Sequence, residues 1–154
     1  MSKIKVGNKA PAFKLNGTGG EWSLKDQSGS CVVIYFYPKD NTPGCTDEGR
    51  QFAALHAQFK KAKAVIVGIS ADSIKAHQNF KAKFEFPFDL LSDEDKAVCN
   101  LYDVIQEKSM YGKKYLGVER STFLIDAKGV LRAEWRKVKV DGHAEAVLAA
   151  VTAL

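Results

Sequence analysis

The sequence of 154 residues has only three cysteines, Cys31, Cys45 and Cys99, and no two of them form a CxxC pair. That spacing excludes the common zinc and disulfide-exchange motifs, and an odd, scattered set is no disulfide framework. Free thiols in a reducing compartment follow, and the cytoplasm is the expected location. No apolar run approaches the ~20 residues of a membrane-spanning helix, and MSKIKVGNKAPAF at the start lacks the apolar stretch of a signal peptide. No membrane partner is expected. The formal charge of +5 is spread over small basic groups at 60–63, 81–83, 113–114 and 136–139, with acidic residues between them. No aromatic-basic reader motif accompanies them, so no nucleic-acid partner is expected either.

What is present is ordinary for a folded chain: 45% hydrophobic and 27% charged residues, too apolar for disorder. The length suits one domain, expected to span 1–154. CVVIYFY at 31–37 is a continuous β-branched and aromatic run, the pattern of a strand buried on both faces. It breaks at Pro38. Beyond the break, Thr42 is placed to cap a helix, its oxygen accepting an orphan N–H, with Pro43 at the first helical position. Gly49, Phe52, Leu55 or His56, and Phe59 then recur at helical steps, which predicts one helix to about residue 63.

A strand at 64–69, a helix at 72–83 and a short strand at 88–91 follow, then a short helix at 93–102 and a loop at 111–117. Segments 121–126 and 130–135 read as strands joined by Ala127-Lys128-Gly129, an antiparallel hairpin. A last helix is expected at 142–153 and an N-terminal β-hairpin around 13–23. The predicted class is α/β: a mixed central sheet flanked by helices, with an N-terminal hairpin, in the order of a thioredoxin-like fold.

In such open sheets chemistry gathers where strands end and helices begin. Cys45 lies there, in the first turn of a helix, where unpaired N–H groups and the positive end of the macrodipole favour thiolate over thiol. Glu48 is placed to polarise the site or pair with Arg50, but it reads first as a structural residue that complements that dipole. His56, His77 and His143 show no metal-binding spacing and read as structural.

The segment PKDNTPGC, 38–45, resembles the peroxiredoxin active-site loop: proline, three residues, threonine, two residues, cysteine. Far away, GVERSTFLID places Arg120 at the start of a strand, like the arginine of that family's active site. Two distant matches in the right contexts are much more specific than one. TPGCT, MYGKKYLGVERSTFLID and the chain length resemble the bacterioferritin comigratory protein or PrxQ subgroup over essentially the whole chain.

The resemblance implies a thiol peroxidase acting on hydrogen peroxide and organic hydroperoxides, with no cofactor or metal. It makes Cys45 the attacking cysteine, the Thr42 hydroxyl, Arg120 and the Cys45 backbone N–H the donors that stabilise the departing oxygen, and Pro38 a shield against water. Attack places negative charge on the departing oxygen, and a fixed donor there contributes ~3 kcal/mol to lowering the barrier. The first product is a sulfenic acid. Many relatives in the subgroup carry a second cysteine five residues after the first or in the following helix. Here the first place is Arg50 and the second region, 72–83, has none. The expected recycling therefore uses one cysteine and an external thiol: thioredoxin, glutaredoxin or glutathione. A monomer is implied, with a weak dimer left open. The rival readings are a peroxide sensor or redox relay using the same cysteine, and a thioredoxin-like binding module.

Overall fold

β-Branched and aromatic residues concentrate in one run, and that run forms an interior strand of the sheet. The structure is a computed structural model and describes residues 4–154; Met1, Ser2 and Lys3, the start of the expected 1–154 unit, lie outside the described residues. In chain order the elements are β1 (Lys14–Gly17), β2 (Gly20–Ser23), β3 (Cys31–Phe36), α1 (Pro43–Ala54), α2 (His56–Lys61), β4 (Ala64–Ser70) and α3 (Ile74–Phe84). They continue with β5 (Asp89–Ser92), α4 (Ala97–Leu101), β6 (Ile105–Met110), β7 (Lys113–Val118), β8 (Ser121–Ile125), β9 (Leu131–Trp135) and α5 (His143–Thr152). Seven strands form one mixed sheet in the order β2-β1-β5-β4-β3-β8-β9. β3, β4 and β5 run parallel, and β8 lies antiparallel against β3.

Alternation along the central strands divides the core. Val33 and Tyr35 face a layer containing Phe52 of α1, Phe59 of α2, Phe80 of α3 and Val147 of α5. Val32, Ile34 and Phe36 face the opposite layer, with Val98 and Cys99 of α4 and Tyr102. Large side chains fill the first layer until no room is left beside the backbone. A Cβ on Gly49 would lie 2.5 Å from the Phe86 ring, and one on Gly68 would lie 2.8 Å from Tyr35, so α1 and β4 need glycine there to seat the aromatic rings.

Both expected hairpins form, β1–β2 and β8–β9. Three local readings are corrected. The single helix expected from 43 to 63 is two, α1 and α2, divided at Leu55, whose backbone (φ −100°, ψ 3°) leaves the α region. The helix expected over 93–102 begins only at Ala97, because the Asp93 carboxylate accepts the Val98 and Cys99 amides at 3.2 and 2.7 Å and holds 93–96 as a turn. The expected loop at 111–117 is mostly strand: β6 and β7 form a separate two-stranded ribbon. Tyr111 and Gly112, with φ of 52° and 77°, make its two-residue turn, the left-handed pair that such tight hairpins use.

Candidate active site

The C-terminal end of β3 delivers the chain into the loop 37–42, and α1 departs from it. Pro43 occupies the first turn, where its missing N–H costs nothing. Cys45 follows two residues later, buried, beside backbone N–H groups that no intrahelical carbonyl reaches. Thr42 does stand at the N-cap, with extended backbone, but its side chain makes no cap bond. Instead its hydroxyl donates to the Lys39 carbonyl at 2.8 Å. That corrects the expected cap and the expected donor role alike: the hydroxyl proton is already committed, and its oxygen lone pairs remain available to accept.

Arg120 lies between β7 and β8, held by its carbonyl, which accepts the Val138 amide at 3.0 Å. Its guanidinium reaches across the sheet end to α1 and divides between two partners. One nitrogen, Nη2, donates to Cys45 Sγ at 3.5 Å, and the other, Nη1, donates to Glu48 Oε1 at 2.7 Å. Gly44 makes the approach possible, since a Cβ there would lie 3.1 Å from Nη2. Thus Arg120 is brought against Cys45, and Thr42 stands three residues ahead of the sulfur at the start of α1. Pro38 lies exposed at the beginning of the same loop.

Glu48 was misjudged from sequence: its partner is Arg120, not Arg50. It is almost wholly buried, and its second oxygen has no hydrogen-bond partner among the described residues. Burial pushes its carboxyl up to about 7, against the opposing pull of Arg120. Tyr35 stacks on Phe52 at 4.8 Å, and its own hydroxyl has no hydrogen-bond partner among the described residues. Burial, then the charges of Glu48 and Cys45, raises the Tyr35 hydroxyl well above its ordinary range, so it stays neutral.

The three histidines are not equivalent. His143 accepts or shares a hydrogen bond with Thr122 Oγ1 at 2.8 Å, and burial, assisted by the Arg120 charge, lowers it to about 4. It is a neutral packing group between Phe52 and Trp135. His77 is fully buried and bonded to Asp40, while His56 packs at the edge of Phe88. Asp40, Asp72 and His77 bring ligand-type atoms within 4.8 Å of one another, but hydrogen bonds occupy both His77 nitrogens.

The other two thiols stand apart from Cys45. Cys31 begins β3, at the strand end opposite the loop, about 17 Å of strand away. Cys99 lies in the layer across the sheet, where burial and the Asp93 carboxylate raise its thiol far above the ordinary value.

A family sequence model described as the AhpC/TSA family matches residues 6–134. The chain belongs to that family. Within it, this peroxiredoxin falls in the bacterioferritin comigratory protein or PrxQ subgroup. It is 57% identical over 141 residues to peroxiredoxin Bcp of Xanthomonas campestris, covering 92% of this chain and 88% of that one. It is 55% identical over 146 residues to a putative peroxiredoxin bcp of Coxiella burnetii, covering 94% and 97%. Among solved structures, a Xanthomonas campestris bacterioferritin comigratory protein, described for its alkyl peroxide reduction activity, superposes with a TM-score of 0.90 at 52% identity over 97% of this chain and 98% of that one. The peroxiredoxin is a thiol-dependent peroxidase, with peroxide as substrate and a thiol as reductant. No helix among the described residues is long and apolar enough to cross a membrane.

Proposed function

We propose that Cys45 attacks hydroperoxides and is recycled by a thiol from another molecule. The observation that carries this reading is the single guanidinium that contacts both Cys45 Sγ and buried Glu48. The Cys45 thiolate attacks the terminal oxygen, the O–O bond breaks, and the electron pair leaves on the distal oxygen. Arg120 and the free amide at Cys45 stabilise that charge in place. Thr42, whose proton is spent on Lys39, accepts from the O–H of the incoming peroxide and so orients it. Pro38, at the start of the loop, shields the sulfur from bulk water.

The products are Cys45 sulfenic acid and an alcohol or water, once the departing oxygen has taken a proton. An external thiol condenses with the sulfenic acid, releasing water and leaving a mixed disulfide, and a second thiol reduces it. The places of Cys31 and Cys99 support this route, since the sheet or the length of β3 lies between each and Cys45 and a disulfide needs Cα atoms within about 7 Å. Because Cys45 is buried, the reductant reaches it when the first turn of α1 opens. Hydrogen peroxide and organic hydroperoxides are the proposed substrates, and glutathione, glutaredoxin or thioredoxin the proposed reductant. The setting is a reducing cytoplasm and the acting form a monomer.

Steady-state assays with each reductant test the cycle. Continued consumption of peroxide with at least one of the three is the expected result. Consumption of one equivalent followed by a halt, with all three reductants, would instead make the protein a sensor that passes its oxidation on.

A further inference from the structure

Asp40 lies between Pro38 and Thr42, yet its side chain is buried. Its Oδ1 accepts from the Tyr37 hydroxyl at 2.6 Å, and its Oδ2 lies 2.7 Å from His77 Nδ1 of α3. Its backbone amide donates to Asp72 Oδ2 at 2.9 Å, and Ser70 Oγ donates to the same oxygen at 2.6 Å. His77 Nε2 lies 2.9 Å from the Leu91 carbonyl. The next residue, Asn41, has φ of 60° and accepts from Lys83 Nζ of α3 at 3.2 Å. The loop that carries Thr42 is thus clasped by α3 at two consecutive residues.

The donor count decides what holds the clasp. A carbonyl only accepts, so His77 Nε2 must carry a proton to bond Leu91. If the ring bore no second proton and Asp40 were ionised, two lone pairs would face each other at 2.7 Å. One proton therefore lies between Asp40 and His77, on either partner, and it ties a buried carboxylate to a buried ring.

We propose that His77 and Asp40 are positioning residues for peroxide attack: their shared proton fixes the loop 38–42, and with it the Thr42 hydroxyl, relative to Cys45 and Arg120. Neither touches the reacting atoms. Thr42 takes its direction from the Lys39 carbonyl, which precedes Asp40, so a loop released from His77 moves the hydroxyl while the sulfur stays on α1. Misplacement of about 1 Å in such a site costs about 100-fold in rate. This rests on Cys45 as the nucleophile.

The test compares two reactions of Cys45 in the full-length protein: oxidation by hydrogen peroxide, which needs Thr42 and Arg120 in register, and alkylation by iodoacetamide, which does not need Thr42. Asp40→Ala and His77→Leu are expected to lower the peroxide rate constant about 100-fold while alkylation does not fall. Asp40→Asn is expected to rescue, because its amide donates to Nδ1 of a neutral His77 and its carbonyl still accepts from Tyr37. Should His77→Leu not fold, the Asp40→Ala and Asp40→Asn pair carries the test. The proposal is overturned if the peroxide and alkylation rates fall together, if His77→Leu or Asp40→Ala oxidises at the wild-type rate, or if Asp40→Asn is as slow as Asp40→Ala. Cys45→Ser, run alongside, separates the underlying reading: peroxide consumption surviving in that variant would remove the nucleophile itself.

Discussion

Arg120→Ala slows the oxidation of Cys45 by hydroperoxide about 10²- to 10³-fold and leaves the protein folded. The magnitude is that of one fixed donor lost from a charge-stabilising site, about 3–4 kcal/mol. Arg120 is unusually exposed to this loss because its two nitrogens serve different partners, Cys45 at 3.5 Å and Glu48 at 2.7 Å. Removing it also strips the counter-ion from a buried carboxyl, ordinarily a severe penalty. Here the penalty is limited. Glu48 is already held up at about 7 by burial, with Arg120 opposing that rise, so without Arg120 it binds a proton rather than remaining as a bare buried charge. The check is rapid-quench oxidation kinetics beside a thermal unfolding curve, and an unchanged rate constant would remove Arg120 from the chemistry.

Glu48→Gln removes a pH dependence of stability worth about 3 kcal/mol. In the folded protein the Glu48 carboxyl titrates at about 7, against an ordinary 4.5. Between those values the native state holds a proton that the unfolded chain has released. Native stability therefore carries the full Glu48 contribution below about pH 4.5 and loses it as pH rises through about 7. Glutamine keeps an oxygen for Arg120 but has nothing to titrate. Urea unfolding from pH 4.5 to 8 is expected to show a falling wild-type curve and a flatter one for the variant. Parallel curves would show that Glu48 is ionised throughout. The same variant weakens the hold on Arg120, since an ion pair becomes a bond from the guanidinium to an uncharged carbonyl, and peroxide oxidation is expected to slow about tenfold.

Residues whose roles are local were legible in the sequence. CVVIYFY announced a strand buried on both faces, and TPGC announced the start of a helix with a cysteine in its first turn. Arg120 was visible only because the motif around it resembles a known family; no periodicity singles it out. What stayed hidden was coupling across distance. Glu48 and Arg120 are 72 residues apart and Asp40 and His77 are 37 apart, and nothing in either neighbourhood names its partner. Asp40 and Asn41 drew no reading of their own between Pro38 and Thr42, although they fasten that loop to α3. The β6–β7 ribbon was missed for a different reason: its strands are largely exposed and polar and show no apolar alternation, so only its turn marked it. The direction of the Thr42 hydroxyl is also beyond sequence, because threonine caps helices and bonds upstream carbonyls with equal chemical ease.

The one-cysteine cycle proposed for this peroxiredoxin depends on Cys45 taking one oxygen atom and keeping it until another molecule's thiol arrives. Intact-mass measurement under non-reducing conditions, after one equivalent of hydrogen peroxide, reads that state directly. The wild type, Cys31→Ser and Cys99→Ser are each expected to gain one oxygen, and Cys45→Ser to gain none. Loss of two hydrogens in the wild type, abolished by Cys31→Ser or Cys99→Ser, would establish an internal disulfide and contradict recycling through a single cysteine.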